Sequence, residues 1–287
     1  MFSIIEINGG IGKSIMASAV IHGIKKKYPD RNILVITAYP AVFLNNPDVY
    51  RVFKHGSVSY FYEEYIHGKD VMFFCDEPYR SNGYMRKEKH LISSWGDILG
   101  VETEITPKIY LNTLEENVVK VTTNKPVLIF QPFGGAPEQK NNYSWNRDIP
   151  IRQAQNLANY LAEKYHVIQP HVDRQVKLDN CQHVNIPLRE LFVLIKKAQV
   201  VIGIDSFVQH ARKALGGTAY VFWITNTPKV FGYEQHINIL PKKELAVNNT
   251  VDGYLDRYDF TGGKTYDYPF TDDNVFDMKE FIGKYFA

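Results

Sequence analysis

Asp205, Ser206 and His210 follow an apolar run inside Val200 to Pro228, VVIGIDSFVQHARKALGGTAYVFWITNTP. The stretch reads as a buried strand, a tight turn, a helix, a Gly-Gly break and a second buried strand. In an open α/β sheet, ligands bind where strand carboxyl ends meet helix amino ends, because unpaired backbone N–H groups there favour anions. A carboxylate, a hydroxyl and an imidazole at that place suit a phosphate-bearing ligand. Asp205 equally suits an N-cap, and His210 equally suits packing against the sheet.

A second cluster is the loop Asn8-Gly9-Gly10-Ile11-Gly12-Lys13-Ser14, which follows a strand and opens a helix. Glycines let backbone N–H groups approach an anion there, and the helix dipole adds favourable charge. Gly12-Lys13-Ser14 matches the end of a P-loop, although the position five residues before Gly12 is Ile7 rather than glycine. A P-loop ATPase built on Gly9 to Ser14, with Asp76 as its magnesium site, is therefore one reading; a simple tight turn is another. Asp76 and Glu77 follow the apolar run VMFFC, where a carboxylate can serve as a base or cap the turn before Pro78. Farther on, Arg80, Arg86, Lys87 and Lys89 alternate with Tyr79 and Tyr84. That pattern suits a phosphorylated glycan or nucleic-acid partner, and equally an exposed loop.

Alternating elements must position these groups. Strands are expected at 2–7, 32–37, 71–75, 127–131, 166–169, near 183–186, at 200–204 and at 218–223. Helices are expected at 14–28, 87–99, 151–165, 188–198 and 206–215, with a last one over 271–286. Strands separated by such helices imply parallel sheets with right-handed crossovers. The α/β class therefore takes the form of two Rossmann-like domains facing across a cleft. Thr113 to Lys125 shows no periodicity and marks the boundary, giving domains 1–124 and 125–270, with a helix over 271–287 packing back on the first domain.

With 287 residues, 45% hydrophobic and 22% charged, the chain reads as ordinary globular protein. A formal charge of +2 neither argues for nucleic acid nor excludes it. Lys25, Lys26 and Lys27 complement a helix carboxyl end. Cys75 and Cys181 cannot build a metal site or a disulfide framework, which fits a reducing cytoplasm. The apolar start, Phe2 to Ile24, is interrupted by Asn8, Gly9, Gly10, Gly12 and Lys13, so neither a signal peptide nor a membrane span is expected.

Read together, these segments resemble the heptosyltransferase-like glycosyltransferases, glycosyltransferase family 9, of GT-B fold. The similarity runs through Gly10-Ile11-Gly12-Lys13 to Ile24 with Tyr28-Pro29-Asp30, through Asn46-Pro47-Asp48-Val49, and through Leu188-Arg189-Glu190-Leu191 to Ala198. It ends with Asp205-Ser206-Phe207-Val208-Gln209-His210-Ala211, followed by Thr225-Asn226-Thr227-Pro228 and Gly232. Phe207 stands where the family has a glycine, and Lys13 where it has its catalytic acidic residue. Arg147, before Asp148-Ile149-Pro150, aligns with the family's phosphate-binding lysine and keeps the charge with a bidentate grip.

The resemblance implies an inverting, metal-independent transferase that takes a nucleotide-diphosphate sugar as donor and uses no further cofactor. The second domain would bind the donor through Arg147, Asp205, Ser206, Phe207, His210 and Gly134, with Tyr143 and Trp145 able to stack nearby. The first domain would bind an acceptor glycan or modified nucleic acid through Gly9, Gly10, Gly12 and Arg80. Asp76 would be the base and Lys13 an added charge. A nucleotide-sugar binder without catalysis is the remaining alternative, because the usual first-loop carboxylate is missing.

Overall fold

Ile4, Ile5 and Ile7 are fully buried in β1 (Phe2–Ile7), which requires cover on both faces of its sheet. We describe a computed structural model of the protein over residues 1–56, 60–134, 147–172, 175–224, 226–242 and 274–287. β1 is followed by α1 (Ile11–Lys27), β2 (Asn32–Thr37), β3 (Arg51–Lys54) and β4 (Val71–Phe74). All four strands are parallel, in the order β3-β2-β1-β4. The helices α2 (Asn82–Met85), α3 (Leu91–Leu99) and α4 (Thr113–Val118) follow. Gly100, at φ +62°, ends α3 in the left-handed conformation that glycine adopts without steric cost.

The second sheet is built from β5 (Val127–Gln131), α5 (Ile151–Lys164), β6 (His166–Pro170), β7 (Gln182–Val184), α6 (Leu188–Lys197), β8 (Val200–Ile204), α7 (Phe207–Ala214), β9 (Tyr220–Phe222), α8 (Pro228–Phe231) and β10 (Ile237–Ile239). Its six parallel strands run in the order β10-β9-β8-β5-β6-β7. Starting at β5, this is the doubly wound order in which the chain builds one side, returns, and builds the other. The α/β reading with two parallel sheets therefore holds.

The chain divides into two compact units. One is Met1–Lys120 with Pro187–Lys196 and His210–Gly217; the other is Val121–Ile186, Lys197–Gln209 and Thr218–Ala287. Arg189 explains why most of α6 belongs with the first unit. Its Nε and Nη2 reach the two Glu115 carboxylate oxygens, each at 2.7 Å, and its Nη1 donates to the Ala41 carbonyl at 3.1 Å. This pairing, with the Asn112 backbone N–H donating to Glu115 Oε2 at 2.8 Å in a capping box, holds the Glu115 carboxyl below its ordinary value.

The final helix differs from expectation. α9 (Met278–Tyr285) packs on the second sheet and not on the first. Phe281 meets Tyr220 and Phe222 edge-on, with ring centroids 5.7 and 5.0 Å apart, and Gln153 donates to the Phe276 carbonyl at 2.8 Å. Aromatic burial on this face decides the matter, since Phe276, Phe281 and Phe286 all enter the core that contains Leu128, Phe130 and Phe222.

In the first unit, α1 lies flush against the segment after α3. A Cβ on Gly23 would come within 2.4 Å of the Glu102 carbonyl oxygen. Gly23→Ala is thus expected to destabilise the protein by about 1–3 kcal/mol through overpacking. Helix propensity alone would stabilise it by about 1 kcal/mol, so the sign of the change in a denaturant titration separates the two.

Candidate functional site

In the second unit, β5 and β8 are neighbours at the point where strand order reverses, with Gln131 opposite Gly203. Their connections diverge to opposite faces, which opens a crevice beyond the strand ends. Gln131 closes β5 and its Oε1 accepts a short hydrogen bond from the Ser206 hydroxyl. The chain then passes through Gly134, whose N–H donates to Asp148 Oδ1 at 2.8 Å. Asp148 is fully buried, and Arg147 Nε lies 3.9 Å from the same oxygen. The guanidinium rests against Gly134, where a Cβ would come within 2.6 Å of it. Arg147 keeps 32% of its side chain exposed, enough to meet a ligand.

Asp205 holds the other side of this crevice. Asn226 donates to its Oδ2 and Gln209 Nε2 to its Oδ1, the latter at 3.0 Å. Burial pushes this carboxyl above its ordinary value, while the Asn226 amide, the Arg147 charge and the Gln209 amide pull it down. Arg147 thus lies within electrostatic reach of Asp205. Burial drives the Tyr233 hydroxyl well above the ordinary tyrosine value, and the Asp205 charge adds to the effect.

The first unit repeats the arrangement at the carboxyl ends of β1 and β4, which are also neighbours. Asn8, Cys75, Asp76, Glu77, Arg80 and Ile98 line a cavity of about 470 Å³. Gly9, at φ +104°, makes the turn out of β1, a conformation that side chains other than glycine rarely adopt. Helix α1 then starts at Ile11, three residues earlier than the sequence suggests, so Gly12 and Lys13 fall in its first turn. Lys13 is buried, with a side-chain exposure of 5%. Its ammonium donates to both oxygens of Glu77 at 2.8 Å and lies 5.3 Å from the Tyr79 ring centroid and 5.4 Å from that of Trp95.

This geometry corrects several expectations. A P-loop lysine must reach bound phosphates, whereas Lys13 is held by a carboxylate between two aromatic faces. Glu77, and not Asp76, caps the turn at Pro78, accepting from the Tyr79 N–H at 3.5 Å. Asp76 is exposed and has no hydrogen-bond or ion-pair partner among the described residues. Ser206 donates its N–H to the Ile204 carbonyl at 2.7 Å and its hydroxyl to Gln131. The backbone donors that the turn offers to an anion therefore begin at Phe207, in the first turn of α7. Asp205 accepts from two side-chain amides, Gln209 in the first turn of α7 and Asn226 in the loop after β9. His210 is 3% exposed, an interior residue in the part of α7 that belongs to the first unit.

Gly134, Arg147, Asp205, Ser206 and Phe207 share the second unit, and Gly9, Gly10, Gly12, Lys13, Asp76 and Arg80 the first. Tyr143, Trp145 and Thr225 lie outside the described residues. Gln131, Gln209, Asn226 and Tyr233 were not singled out as site residues. Gln131 carried a signal as the polar end of an otherwise apolar strand followed by proline, and Gln209 and Asn226 stand within the segments that carry the resemblance. No group of three or more His, Cys, Asp or Glu side chains among the described residues is arranged to hold a metal ion, and no described helix is long and apolar enough to cross a membrane.

No protein-family model matches the chain, and no curated protein sequence matches it. Solved structures do. A family 9 glycosyl transferase from Veillonella parvula superposes with a TM-score of 0.62 at 12% identity, over 83% of this chain and 84% of its own. The ADP-heptose lipopolysaccharide heptosyltransferase II of E. coli gives 0.63 at 13% identity, over 85% and 91%. The iron-containing dodecameric heptosyltransferase TibC, in complex with ADP-D-β-D-heptose, gives 0.60 at 11% identity, over 84% of this chain and 62% of its own. The protein thus has the heptosyltransferase-like GT-B fold that its sequence resembles.

The pair in the first unit is open to a direct energetic test. Lys13→Met and Glu77→Gln, singly and together, form a double-mutant cycle. With Lys13 buried and Glu77 31% exposed, the expected coupling is about 1–3 kcal/mol, above the ~1 kcal/mol ceiling of most exposed pairs. A coupling near zero in urea unfolding would contradict the clamp.

Proposed function

We propose that the protein is a glycosyltransferase that uses a nucleotide-diphosphate sugar. The reading rests on one observation above the others. Arg147, seated on Gly134, lies within electrostatic reach of Asp205 where the order of a six-stranded parallel sheet reverses. In a chain with the fold of family 9, that is where a diphosphate is best received. The guanidinium can take two phosphate oxygens at once, and the first-turn N–H groups of α7 add their dipoles.

In the reaction, the acceptor oxygen bonds to the anomeric carbon while the bond from that carbon to the diphosphate oxygen breaks. The bonding electrons leave with the diphosphate, where Arg147 offsets the growing charge. Asp76, exposed at the end of β4, takes the acceptor's proton. Attack opposite the leaving group inverts the anomeric configuration, and the scheme needs no metal. The second unit carries the donor site and the first the acceptor site. The acceptor is a glycan, with Arg80 at the cavity suiting an anionic one. The bound ADP-heptose of TibC makes ADP-sugars the first donors to try.

Thermal unfolding against ADP-, UDP-, GDP- and CMP-sugars, with Mg-ATP alongside, tests this reading. A matching sugar nucleotide at a hundred times its Kd is expected to add about 2.7 kcal/mol of stability. Arg147→Ala should abolish that gain and Gly134→Ala should weaken it by displacing the guanidinium, while Lys13→Met should keep it. Stabilisation by Mg-ATP alone would contradict the assignment. Asp76→Asn is expected to lower turnover about 10²–10⁴-fold, as loss of a general base does, with donor binding retained.

A further inference from the structure

Lys13 is buried beside the first-unit cavity, and the site's chemistry as described gives it nothing to do. Both oxygens of Glu77 lie 2.8 Å from its ammonium. Tyr79 and Trp95 close around it, at 5.3 and 5.4 Å from their ring centroids. Gly9 makes room for the stem, since a Cβ there would sit 3.2 Å from Lys13 Cδ. A phosphate could reach the ammonium only by displacing a carboxylate that already fills two of its three donor positions. Lys13 is thus committed to the protein and not to a ligand.

What the clamp holds is the backbone beside Asp76. Glu77 is its next residue, and the same carboxylate accepts from the Tyr79 N–H. The Glu77 carbonyl accepts from Arg80 N–H at 3.0 Å, so one residue organises the turn through Pro78–Arg80. Asp76 itself has no hydrogen-bond or ion-pair partner among the described residues. We propose that Lys13 is a positioning residue: by clamping Glu77 it fixes the turn that presents the Asp76 carboxylate at the rim of the cavity between the ends of β1 and β4. The inference rests on the proposed function for the role of Asp76, but the clamp itself can be read without activity.

Two measurements test it. The first is hydrogen exchange in the unliganded protein. Lys13→Met preserves the length and apolar stem of the side chain. It should speed exchange of the Tyr79, Arg80 and Ser81 amides about tenfold or more by raising local opening, while β1 and β2 amides stay protected. Unchanged exchange at 79–81 overturns the inference, whether or not any sugar nucleotide binds. The second is steady-state nucleotide release from whichever of the ADP-, UDP-, GDP- or CMP-sugars stabilises the protein. Lys13→Met should lower kcat about 10–100-fold, as misplacement by about an ångström does, with the donor KM changed less than about threefold. Adding Asp76→Asn to Lys13→Met should cost no more than Asp76→Asn alone.

A raised KM with unchanged kcat would make Lys13 a substrate ligand and overturn the proposal, as would fully additive losses. Faster exchange at 79–81 in a protein that releases no nucleotide would instead uphold the clamp and remove the glycosyltransferase reading.

Discussion

A parallel sheet that reverses its strand order beside its first strand sends two connections to opposite faces, and nothing in the sheet fills the gap between them. Both sheets here do this, at β1 and β4 in the first unit and at β5 and β8 in the second. The residues that end those four strands have no choice but to border a crevice. Asn8, Asp76, Gln131 and Asp205 all follow or end apolar runs, and all are polar. The rest of the account depends on this placement, because it puts charge and backbone dipoles where a ligand can reach them.

The two crevices treat their cations in opposite ways. In the first, the compact ammonium of Lys13 is withdrawn from water and compensated by a carboxylate and two aromatic faces. Burying a charge in this way is tolerable only with such partners. In the second, the guanidinium of Arg147 is left one-third exposed and shares its field with Asp205, whose oxygens are held by Asn226 and Gln209. One cation is therefore withdrawn into the fold, and the other keeps about a third of its side chain in solvent. A glycine serves each arrangement, Gly9 beside the lysine stem and Gly134 beneath the guanidinium.

The long apolar strands were legible because a strand buried on both faces reads as an unbroken run, as in VLIFQ and VVIGI. The edge strands β3 and β10 were not, since Arg51–Lys54 and Ile237–Ile239 are short and half-exposed. The early start of α1 was hidden by Gly-Gly-Ile-Gly, which reads as a breaker; no side chain caps that end, and the first turn carries the lysine that clamps Glu77. Helix α4 was missed although Asn112 and Glu115 form a reciprocal capping box, because its short exposed sequence has no apolar period. Within the candidate site, residue types and their spacing pointed to Asp205 and Asp76, and the resemblance to family 9 pointed to Arg147. They could not reveal that Lys13 faces Glu77, 64 residues away, or that Ser206 spends its hydroxyl on Gln131, because such pairings exist only once the strands are in register.

The central claim is that an anionic ligand belongs to the second unit's crevice. Hydrogen exchange mapped with and without a saturating sugar nucleotide tests it most directly. The account predicts new protection at residues 131–134, 147–148 and 205–209. Protection confined to residues 8–14, with none around Arg147 and α7, would contradict it.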